Sequence, residues 1–358
     1  MRKKSNEAHH PTEPSMSPSP LTPLWRNTWP TTLALLPLCL LVLTLLANLA
    51  TPFYQAHSAL AWIPDAFNAF RLQYFALSVA YALLLGGLAL AWPKQHAHLL
   101  PATALLALPL LLNGWEVIPF YLPTAAPQAK GPTFKLLHLN VHNSNTNVQA
   151  TQRFIASQQA AVVNLQEYTA PWRKALEATG VLNSYPHRFH VDGGDDALYS
   201  RIPLESVKAE RIAGSPHGSD VAIVARLRWQ GHPLTLVASH PPIPVLGSLY
   251  ERQRQHVAWW AHNKAAYGPR WVLLGDLNTT PWSLPYKSLV AGTGLRDSQR
   301  GVGVQLSFPA DVLWPLMSID HALASEGVVL RQRRVGGGET GSDHLPLQVE
   351  VGVSELTP

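Results

Sequence analysis

The chain has 358 residues, a formal net charge of +5 and one cysteine, Cys39. This length allows one large domain and a further region, while a single cysteine excludes an intrachain disulfide and a zinc site made of several thiolates. From residue 131 onward, 20 Lys and Arg accompany 18 Asp and Glu. So small an excess of positive charge argues against a basic nucleic-acid surface.

The first 120 residues indicate a membrane region behind a polar tail. Residues 1–29 are polar and rich in Pro and Ser, which is typical of a disordered tail. Three apolar tracts follow within residues 30–120, each long enough to cross a hydrocarbon core of roughly 30 Å. They cover about 31–50, 72–92 and 97–117. A cleaved signal peptide is the alternative for the first tract, and an interfacial or hairpin-like segment is the alternative for the third, which contains Pro101 and Pro109.

Charges on either side of the tracts predict the topology. The tail carries Arg2, Lys3, Lys4 and Arg26, and Lys94 follows the second tract. By the positive-inside rule, the tail and the loop after the second tract lie in the cytoplasm. Three crossings then place the C-terminal domain on the extracytoplasmic side of the plasma membrane. If the third tract does not cross, that domain is cytoplasmic instead.

A Pro- and Ala-rich linker, 121–132, leads to a soluble domain at 133–353. Short apolar runs predict its strands, near 134–142, 161–167, 187–191, 196–199, 221–228, 234–240, 271–275, 318–324, 328–333 and 345–351. Helices are predicted over 147–158, 171–179 and 249–266. Because helices separate some strands and short turns separate others, we expect an α/β domain with large mixed sheets and outer helices.

The stretch from Trp271 to Pro281 is the most informative part of the domain. The apolar run 271–274 predicts a buried strand, and Gly275 allows a tight exit from it. Asp276 and Asn278 are two residues apart, so on an extended chain their side chains point the same way. Thr279-Thr280-Pro281 is expected to open a helix, with Pro281 near its first turn.

Polar side chains recur at the ends of the predicted strands. They are Asn140, Glu167, His240, Asp276 with Asn278, Asp320, and Asp343 with His344. Each has an ordinary explanation when taken alone: a turn residue, a helix cap, a salt-bridge partner or a core histidine. Because ligands of open α/β sheets gather at strand ends, their recurrence favours a single site.

The residue types at these strand ends indicate a chemistry. Carboxylates with a side-chain amide suit a hard divalent cation such as Mg²⁺, which binds phosphate oxygens. A histidine with an aspartate behind it suits proton transfer or the stabilisation of developing charge. The pattern therefore predicts metal-assisted hydrolysis of a phosphate ester.

Six short motifs occur in an order that resembles a known superfamily. They are Leu139-Asn140-Val141, Leu165-Gln166-Glu167, Ser239-His240, Gly275-Asp276-Leu277-Asn278, Ile319-Asp320-His321 and Ser342-Asp343-His344. Together they resemble the endonuclease/exonuclease/phosphatase superfamily, which includes pancreatic-type deoxyribonucleases, abasic-site endonucleases, sphingomyelinases and inositol-phosphate phosphatases. The resemblance implies a four-layer α/β sandwich of two mixed β-sheets with outer helices. With its three transmembrane helices, the whole chain looks like the bacterial members that are anchored in the inner membrane.

The resemblance also implies a role for each selected residue. For the metal, Mg²⁺ with Mn²⁺ as a possible substitute, it implies Glu167 as the main ligand, Asn140 as a helper that places the metal or its water, and Asp343 as a second ligand or a bracing group. For catalysis it implies that Asp276 positions or activates the nucleophile, that Asn278 binds a phosphoryl oxygen, and that His344 contacts the scissile phosphate with Asp320 behind it. His240 then stabilises the transition state or protonates the leaving oxygen.

The substrate is left open by these motifs. A nucleic acid and a lipid head group are both compatible with the resemblance, and a membrane-tethered binding or scaffold module without turnover is the alternative function. A scaffold has no need to keep Glu167, Asp276, Asn278 and His344 together, so an enzyme is favoured. His142 and Asn143 match no role in the family, and Arg331 with Arg333 is expected on a solvated sheet edge.

Overall fold

The computed structural model describes residues 25–124, 131–212, 220–310, 312 and 317–354, without the side chains of 25–31 and 95–96. The predicted tail therefore lies outside the described residues as far as 24, and the linker does so from 125 to 130. Helix α1 begins at Trp25, so the last five residues of the predicted tail are helical.

The predicted membrane region consists of helices with short connections. They are α1 (Trp25–Asn48), α2 (Ala50–Gln55), α3 (Trp62–Asn68), α4 (Arg71–Ala91), a 3₁₀ turn (Pro93–Leu99), α5 (Leu100–Val117) and a second 3₁₀ turn (Ile118–Phe120). Three described segments are long and apolar enough to cross a membrane, Thr32–Gln55, Arg71–Ala91 and Ala97–Phe120. The third tract is helical through Pro109, and Pro101 lies in its first turn, where a missing N–H costs nothing.

Two six-stranded sheets form the soluble domain. The first has the order β11 (Val328–Val335), β12 (Leu347–Val353), β1 (Phe134–Asn140), β2 (Val162–Gln166), β4 (Ala197–Ser200), β3 (His187–His190). The second has the order β5 (Leu204–Arg211), β6 (Val221–Trp229), β7 (His232–Ser239), β8 (Trp271–Asp276), β10 (Asp320–Ala324), β9 (Arg296–Asp297). One parallel pair lies at the centre of each sheet, β1 with β2 and β7 with β8.

The apolar residues divide into three layers of core, which confirms the predicted four-layer sandwich. A central cluster joins the inner faces of the two sheets and includes Leu136, Ile223 and Leu274. On the outer face of the first sheet, a second cluster covers α6 (Val148–Gln158) and α7 (Ala170–Ala178). A third covers α8 (Gly247–Asn263) and α9 (Leu284–Thr293) on the second sheet. Apolar burial on both faces explains why the central strands are almost continuously apolar.

One sequence prediction in this domain is wrong, and one long strand was not predicted. The helix expected at Pro281 begins at Leu284, with Pro285 in its first turn, because the intervening Trp282 is buried against Phe120 of the membrane region. Strand β5 was not predicted because it is an exposed edge strand without an alternating apolar pattern.

Candidate active site

The candidate active site lies where the central parallel strands of both sheets end. Asn140 is the last residue of β1, and Glu167 follows β2. In the other sheet, His240 follows β7 and Asp276 ends β8. Asp320, the first residue of the antiparallel β10, pairs in register with Asp276. Strand ends of both sheets thus converge at one end of the sandwich.

A cleft of about 780 Å³ opens over this end. Six of the eight residues selected from the sequence line it: Glu167, His240, Asp276, Asn278, Asp343 and His344. Asn140 and Asp320 are buried behind it and hydrogen-bond to residues of the lining. The structure therefore brings all eight residues into one connected site.

Asp276 is the residue at which the other side chains meet. Its Oδ2 accepts a hydrogen bond from Asn140 Nδ2 at 3.2 Å and lies 3.5 Å from Nε2 of both His240 and His344. Its Oδ1 accepts from the backbone N–H of Asn278 at 2.9 Å. One buried carboxylate oxygen thus faces two imidazoles and an amide, an arrangement suited to transferring protons near a bound water or phosphoryl group.

Glu167 is the second carboxylate of the site, and Asn140 joins it to Asp276. The Asn140 amide donates to Glu167 Oε1 at 2.9 Å, and the backbone N–H of Asn143 donates to Oε2 at 2.9 Å. The Asn140 side-chain oxygen accepts from the backbone N–H of His142. Asn140 therefore fixes the two carboxylates beside each other, and their remaining lone pairs are available to a ligand.

A series of buried polar side chains lies behind His344. Nδ1 of His344 donates to Asp320 Oδ2 at 2.9 Å. The other oxygen of Asp320 accepts from His138 Nε2 at 2.9 Å, and His138 Nδ1 accepts from Asn164 at 3.0 Å. Because Asp320 engages Nδ1, it orients His344 with Nε2 towards Asp276.

Neighbouring charges set the protonation states of the site. Burial lowers the pKa of His344, but the charges of Asp320 and Asp276 outweigh burial and raise the pKa to about 10. Burial also opposes the charged form of His240, yet Asp276 raises its pKa to about 9. Burial raises the pKa of Asp276 and Asp320, but the cationic histidines hold both values below the usual range. Near neutral pH, both imidazoles are therefore cationic and both carboxylates ionised.

The expected extended geometry at Asn278 is wrong. Strand β8 ends at Asp276, and the φ of Asn278 is +49°, so the chain turns there. The Asn278 amide donates to the Pro241 carbonyl at 3.0 Å. Both Asp276 and Asn278 nevertheless line the cleft.

Asp343 lies beside His142, a residue for which the motifs imply no role. Its Oδ1 lies 2.8 Å from His142 Nδ1, and His142 Nε2 hydrogen-bonds with the Ser144 hydroxyl. Both Asp343 and His142 line the cleft. This short approach favours the bracing alternative for Asp343, although its geometry is not that of a hydrogen bond.

Backbone conformation also distinguishes the site. His142, Glu167 and Asn278 have φ values of +57°, +54° and +49°. Non-glycine residues in this left-handed region cost on the order of 1 kcal/mol each and concentrate at functional sites. At Glu167 and Asn278, the unusual turn directly follows a central strand of each sheet.

Gly275 permits the close approach that holds Asp276. Its φ is +144°, and a Cβ there would lie 2.1 Å from the Ser239 carbonyl oxygen and 2.9 Å from Gln166 Nε2. The side-chain oxygen of Gln166 accepts from the Asp276 backbone N–H at 2.8 Å. Gln166 of one sheet therefore fixes a catalytic candidate of the other.

Sequence reasoning missed the role of two further residues, Asp196 and Arg333. Asp196 lines the cleft beside His240, and burial raises its pKa to about 7. In the described part of the chain, its Oδ1 has no hydrogen-bond partner. The only signal in the sequence was a pair of acidic residues after Gly193-Gly194.

Arg333 corrects the prediction of a solvated sheet edge. It is buried and donates to the Asp320 carbonyl at 3.0 Å and to the Ser298 hydroxyl at 2.9 Å. A β-bulge between Arg331 and Arg334 disturbs the alternation of the strand, so the face of Arg333 was not predictable from spacing.

The donor atoms suit a hard divalent cation. Asp276, Asp320 and His344 place ligand atoms within 4.8 Å of one another, but both Asp320 oxygens already bind imidazoles. Glu167 is better placed for a metal, because only the Asn140 amide and the Asn143 backbone N–H donate to its oxygens. The Asn140 amide joins it to Asp276. Carboxylate oxygens are the ligands that Mg²⁺ prefers.

Comparison with known proteins gives matches in sequence and in fold. The profile of the Endonuclease/Exonuclease/phosphatase family matches residues 137–344. The inositol phosphosphingolipids phospholipase C of Saccharomyces cerevisiae is 29% identical over 162 residues, an alignment that covers 38% of this chain and 33% of the relative. The chain thus matches about one third of that protein's length.

Solved structures share the fold at low sequence identity. An endonuclease/exonuclease/phosphatase from Bacteroides vulgatus has a TM-score of 0.51 at 17% identity and covers 63% of this chain and 100% of its own. Humanized D. rerio TDP2 has a TM-score of 0.50 at 16% identity and covers 62% of this chain and 99% of its own. Both likenesses concern the fold alone.

Proposed function

The chain belongs to the Endonuclease/Exonuclease/phosphatase family; from this premise we propose that it hydrolyses phosphate esters as a membrane-anchored, Mg²⁺-dependent phosphodiesterase. One observation carries the proposal. Asp276 Oδ2 lies 3.5 Å from two imidazoles and 3.2 Å from the amide of Asn140, which also holds Glu167. This arrangement combines proton carriers with a hard-metal donor set.

Glu167 and Asp276 would hold the cation, with Asn140 as the residue that fixes their separation. When bound, Mg²⁺ neutralises negative charge on the phosphate and polarises a phosphoryl oxygen. Manganese has the same preference for oxygen ligands. Asp343 braces His142 at the edge of the site.

The remaining residues bind and orient the phosphate. His344 and His240 are both cationic and face the same point, so they suit a negatively charged phosphodiester between them. Asn278 presents an amide at the cleft wall without adding negative charge. Asp320 keeps His344 in the required tautomer and orientation.

In the proposed hydrolysis, Asp276 accepts the proton of the attacking water and His240 donates a proton to the leaving group. The water oxygen bonds to phosphorus, and the bond from phosphorus to the leaving oxygen breaks. The lowered pKa of Asp276 makes it a weak base, so it orients the water and accepts the proton as the new bond forms. His240 protonates the leaving oxygen. Because His240 lies 3.5 Å from Asp276 Oδ2, the proton can then return to the imidazole.

The membrane location is part of the proposal. Three apolar helices support an anchor, and the distribution of basic residues supports a site on the extracytoplasmic side. The proposed membrane is the bacterial plasma membrane. A C-terminal reporter that is active only in the cytoplasm would contradict this orientation.

The test uses the full chain in detergent micelles with bis(4-nitrophenyl) phosphate as the substrate. We expect turnover with Mg²⁺, loss of turnover with EDTA and recovery when Mg²⁺ is restored. The same assay on plasmid DNA, RNA, sphingomyelin and phosphoinositides identifies the class of substrate. A folded chain that binds Mg²⁺ and hydrolyses none of these would overturn the proposal in favour of a scaffold.

A further inference from the structure

One wall of the candidate active site comes from the membrane region. Helix α3 and the residues after it lie between two apolar helices in the sequence, yet Trp62, Ala66 and Phe70 line the same cleft as Glu167 and His344. The catalytic cleft is therefore incomplete without the segment 59–70, which we call the α3 wall.

Buried polar contacts hold the α3 wall against the catalytic domain. Asp65 accepts hydrogen bonds from the Tyr250 hydroxyl at 3.0 Å and from the Leu284 backbone N–H at 3.0 Å. Within the membrane region, Asn68 donates to Asp65 at 2.8 Å and accepts from Arg71 at 2.6 Å. Because these polar groups are buried, separating the wall would leave several of them unsatisfied.

The connection continues at the end of α5. Lys287 forms a 2.6 Å ion pair with Glu116, and the Trp282 indole donates to the Glu116 carbonyl. Trp282 is buried against Val117 and Phe120. The end of the third apolar helix is thus fixed beside α9.

Exposed apolar side chains lie in or beside the segments of both regions that line the cleft. Leu60 and Ile63 of the α3 wall, with Ile243, Val245 and Leu246 of the loop after β7, are 44% to 56% exposed. Ile243 and Val245 line the cleft itself. A Cβ on Gly247 would lie 2.7 Å from the Ala59 carbonyl, so the loop and the wall touch. We call these five residues the apolar rim.

The charges of the cleft are unsuited to a polyanion. Among the described residues that line it, Arg252 is the only Lys or Arg, and its guanidinium binds Asp220 at 2.5 and 2.8 Å. Nucleic acids are held by a series of basic side chains along their backbone. The cleft instead offers one charged centre and an apolar mouth, which matches an amphiphile.

Resting on the proposed function, we propose that the substrate is a membrane amphiphile with a phosphodiester head group. The head group enters the cleft and reaches Asp276 and the histidines, while the hydrocarbon chain stays in contact with the apolar rim. The chain of the amphiphile thereby remains close to the bilayer that the three apolar helices would occupy.

The test compares two diesters that differ only in hydrocarbon length. Methyl 4-nitrophenyl phosphate and hexadecyl 4-nitrophenyl phosphate release the same 4-nitrophenolate, each leaving an alkyl phosphate after addition of water. With the full chain in mixed micelles and Mg²⁺, we expect kcat/KM to be about tenfold or more higher for the hexadecyl diester, because the rim covers apolar surface of the chain.

A double variant and a matched control distinguish contact of the substrate with the apolar rim from partitioning of the substrate into the micelle. Ile243→Ser with Val245→Ser should lower the hexadecyl-to-methyl ratio of kcat/KM about tenfold. Val302→Ser changes a valine of similar exposure outside the cleft lining and should leave the ratio unchanged.

Each outcome decides the proposal. A ratio that the double variant does not change, or DNA hydrolysed faster than the hexadecyl diester, would overturn it while leaving the phosphodiesterase assignment intact. Failure of the wild-type chain to hydrolyse either diester with Mg²⁺ would overturn the proposed function and this inference with it.

Discussion

The floor and the mouth of the cleft are built in opposite ways. At the floor, Asp276, Asp320 and His344 are buried and every carboxylate oxygen of the two aspartates has a polar neighbour. At the mouth, the apolar rim is half exposed and comes partly from the membrane region. Catalytic groups need fixed positions, whereas an adaptable apolar surface is sufficient for a hydrocarbon chain. We therefore expect that substitutions at the floor change the chemistry and that substitutions at the mouth change the choice of substrate.

The largest loss of activity is expected from substitutions at the floor of the cleft. Glu167→Gln removes a carboxylate placed for the metal, and His344→Ala removes a cationic group beside the phosphate. Each should lower kcat by about 10³-fold, measured with a soluble diester. Glu205→Gln, which removes an exposed carboxylate on edge strand β5, is the control and should retain activity. Near-normal rates in either floor variant would show that the site is wrongly assigned.

Asp320→Asn should separate orientation from direct contact. It keeps the shape but removes the charge that raises the pKa of His344. We expect kcat to fall about 10²-fold and the basic limb of the pH–rate profile to move to lower pH, because the imidazole loses its proton earlier. A loss of stability with an unmoved limb would mean that Asp320 has only a structural role.

The same pair predicts how stability depends on pH in EDTA. The pKa of His344 is about 10 in the folded chain and roughly 6.5 when unfolded. Its stabilising contribution is therefore complete below pH 6.5 and is lost as pH rises to 10. The Tm of the wild type should fall across this window by several degrees more than that of Asp320→Asn. Parallel curves would contradict the charge pairing.

Substitutions at two glycines test the difference between the floor and the mouth of the cleft. Gly275→Ala adds a Cβ 2.1 Å from a carbonyl at φ +144°, so it should cost about 3 kcal/mol or more and abolish activity. Gly247→Ala meets Ala59 of the α3 wall at 2.7 Å. It should cost about 1 kcal/mol and reduce hydrolysis of the long-chain diester more than that of the methyl diester. Thermal unfolding measures the loss of stability in each variant, and the two diester assays measure the loss of activity. Equal effects of Gly275→Ala and Gly247→Ala would contradict the difference between floor and mouth.

The smallest effect is expected at Asp196. Burial raises its pKa to about 7, so in EDTA its ionised form destabilises the fold increasingly as pH rises from about 4 through 7. Asp196→Asn should therefore raise Tm at pH 8 by a few degrees and have less effect at pH 5. A Tm gain that is equal at both pH values would contradict the assigned pKa.

Local patterns were sufficient to predict mixed sheets with outer helices and to select the eight residues that meet at one end of the domain, whereas the four-layer sandwich was implied by the resemblance to the family. Apolar runs mark the buried strands, and polar residues at their ends, such as Asn140 and Asp276, then converge by the geometry of the sheets. The partners of those residues were less accessible. His138 lies within a strand and contacts Asp320 from 182 positions away, so no local pattern reports the pair.

The α3 wall shows more clearly which features could not be predicted from the sequence. Trp62 and Phe70 belong to a short connection between apolar tracts, and nothing in its composition indicates that it borders a catalytic cleft. That role depends on Asp65 meeting Tyr250 across 185 positions. Similarly, Trp282 displaced the start of α9 because its burial against the membrane region outweighs the local preference of Pro281.

The most direct test compares two substitutions on two substrates. The full chain, Glu167→Gln and the double variant Ile243→Ser/Val245→Ser are assayed with Mg²⁺ on the methyl and hexadecyl 4-nitrophenyl diesters. The account predicts that Glu167→Gln loses both activities to the same extent, while the double variant loses chiefly the hexadecyl activity. The same pattern of loss in both variants would contradict the separation of catalytic floor and substrate-selecting mouth.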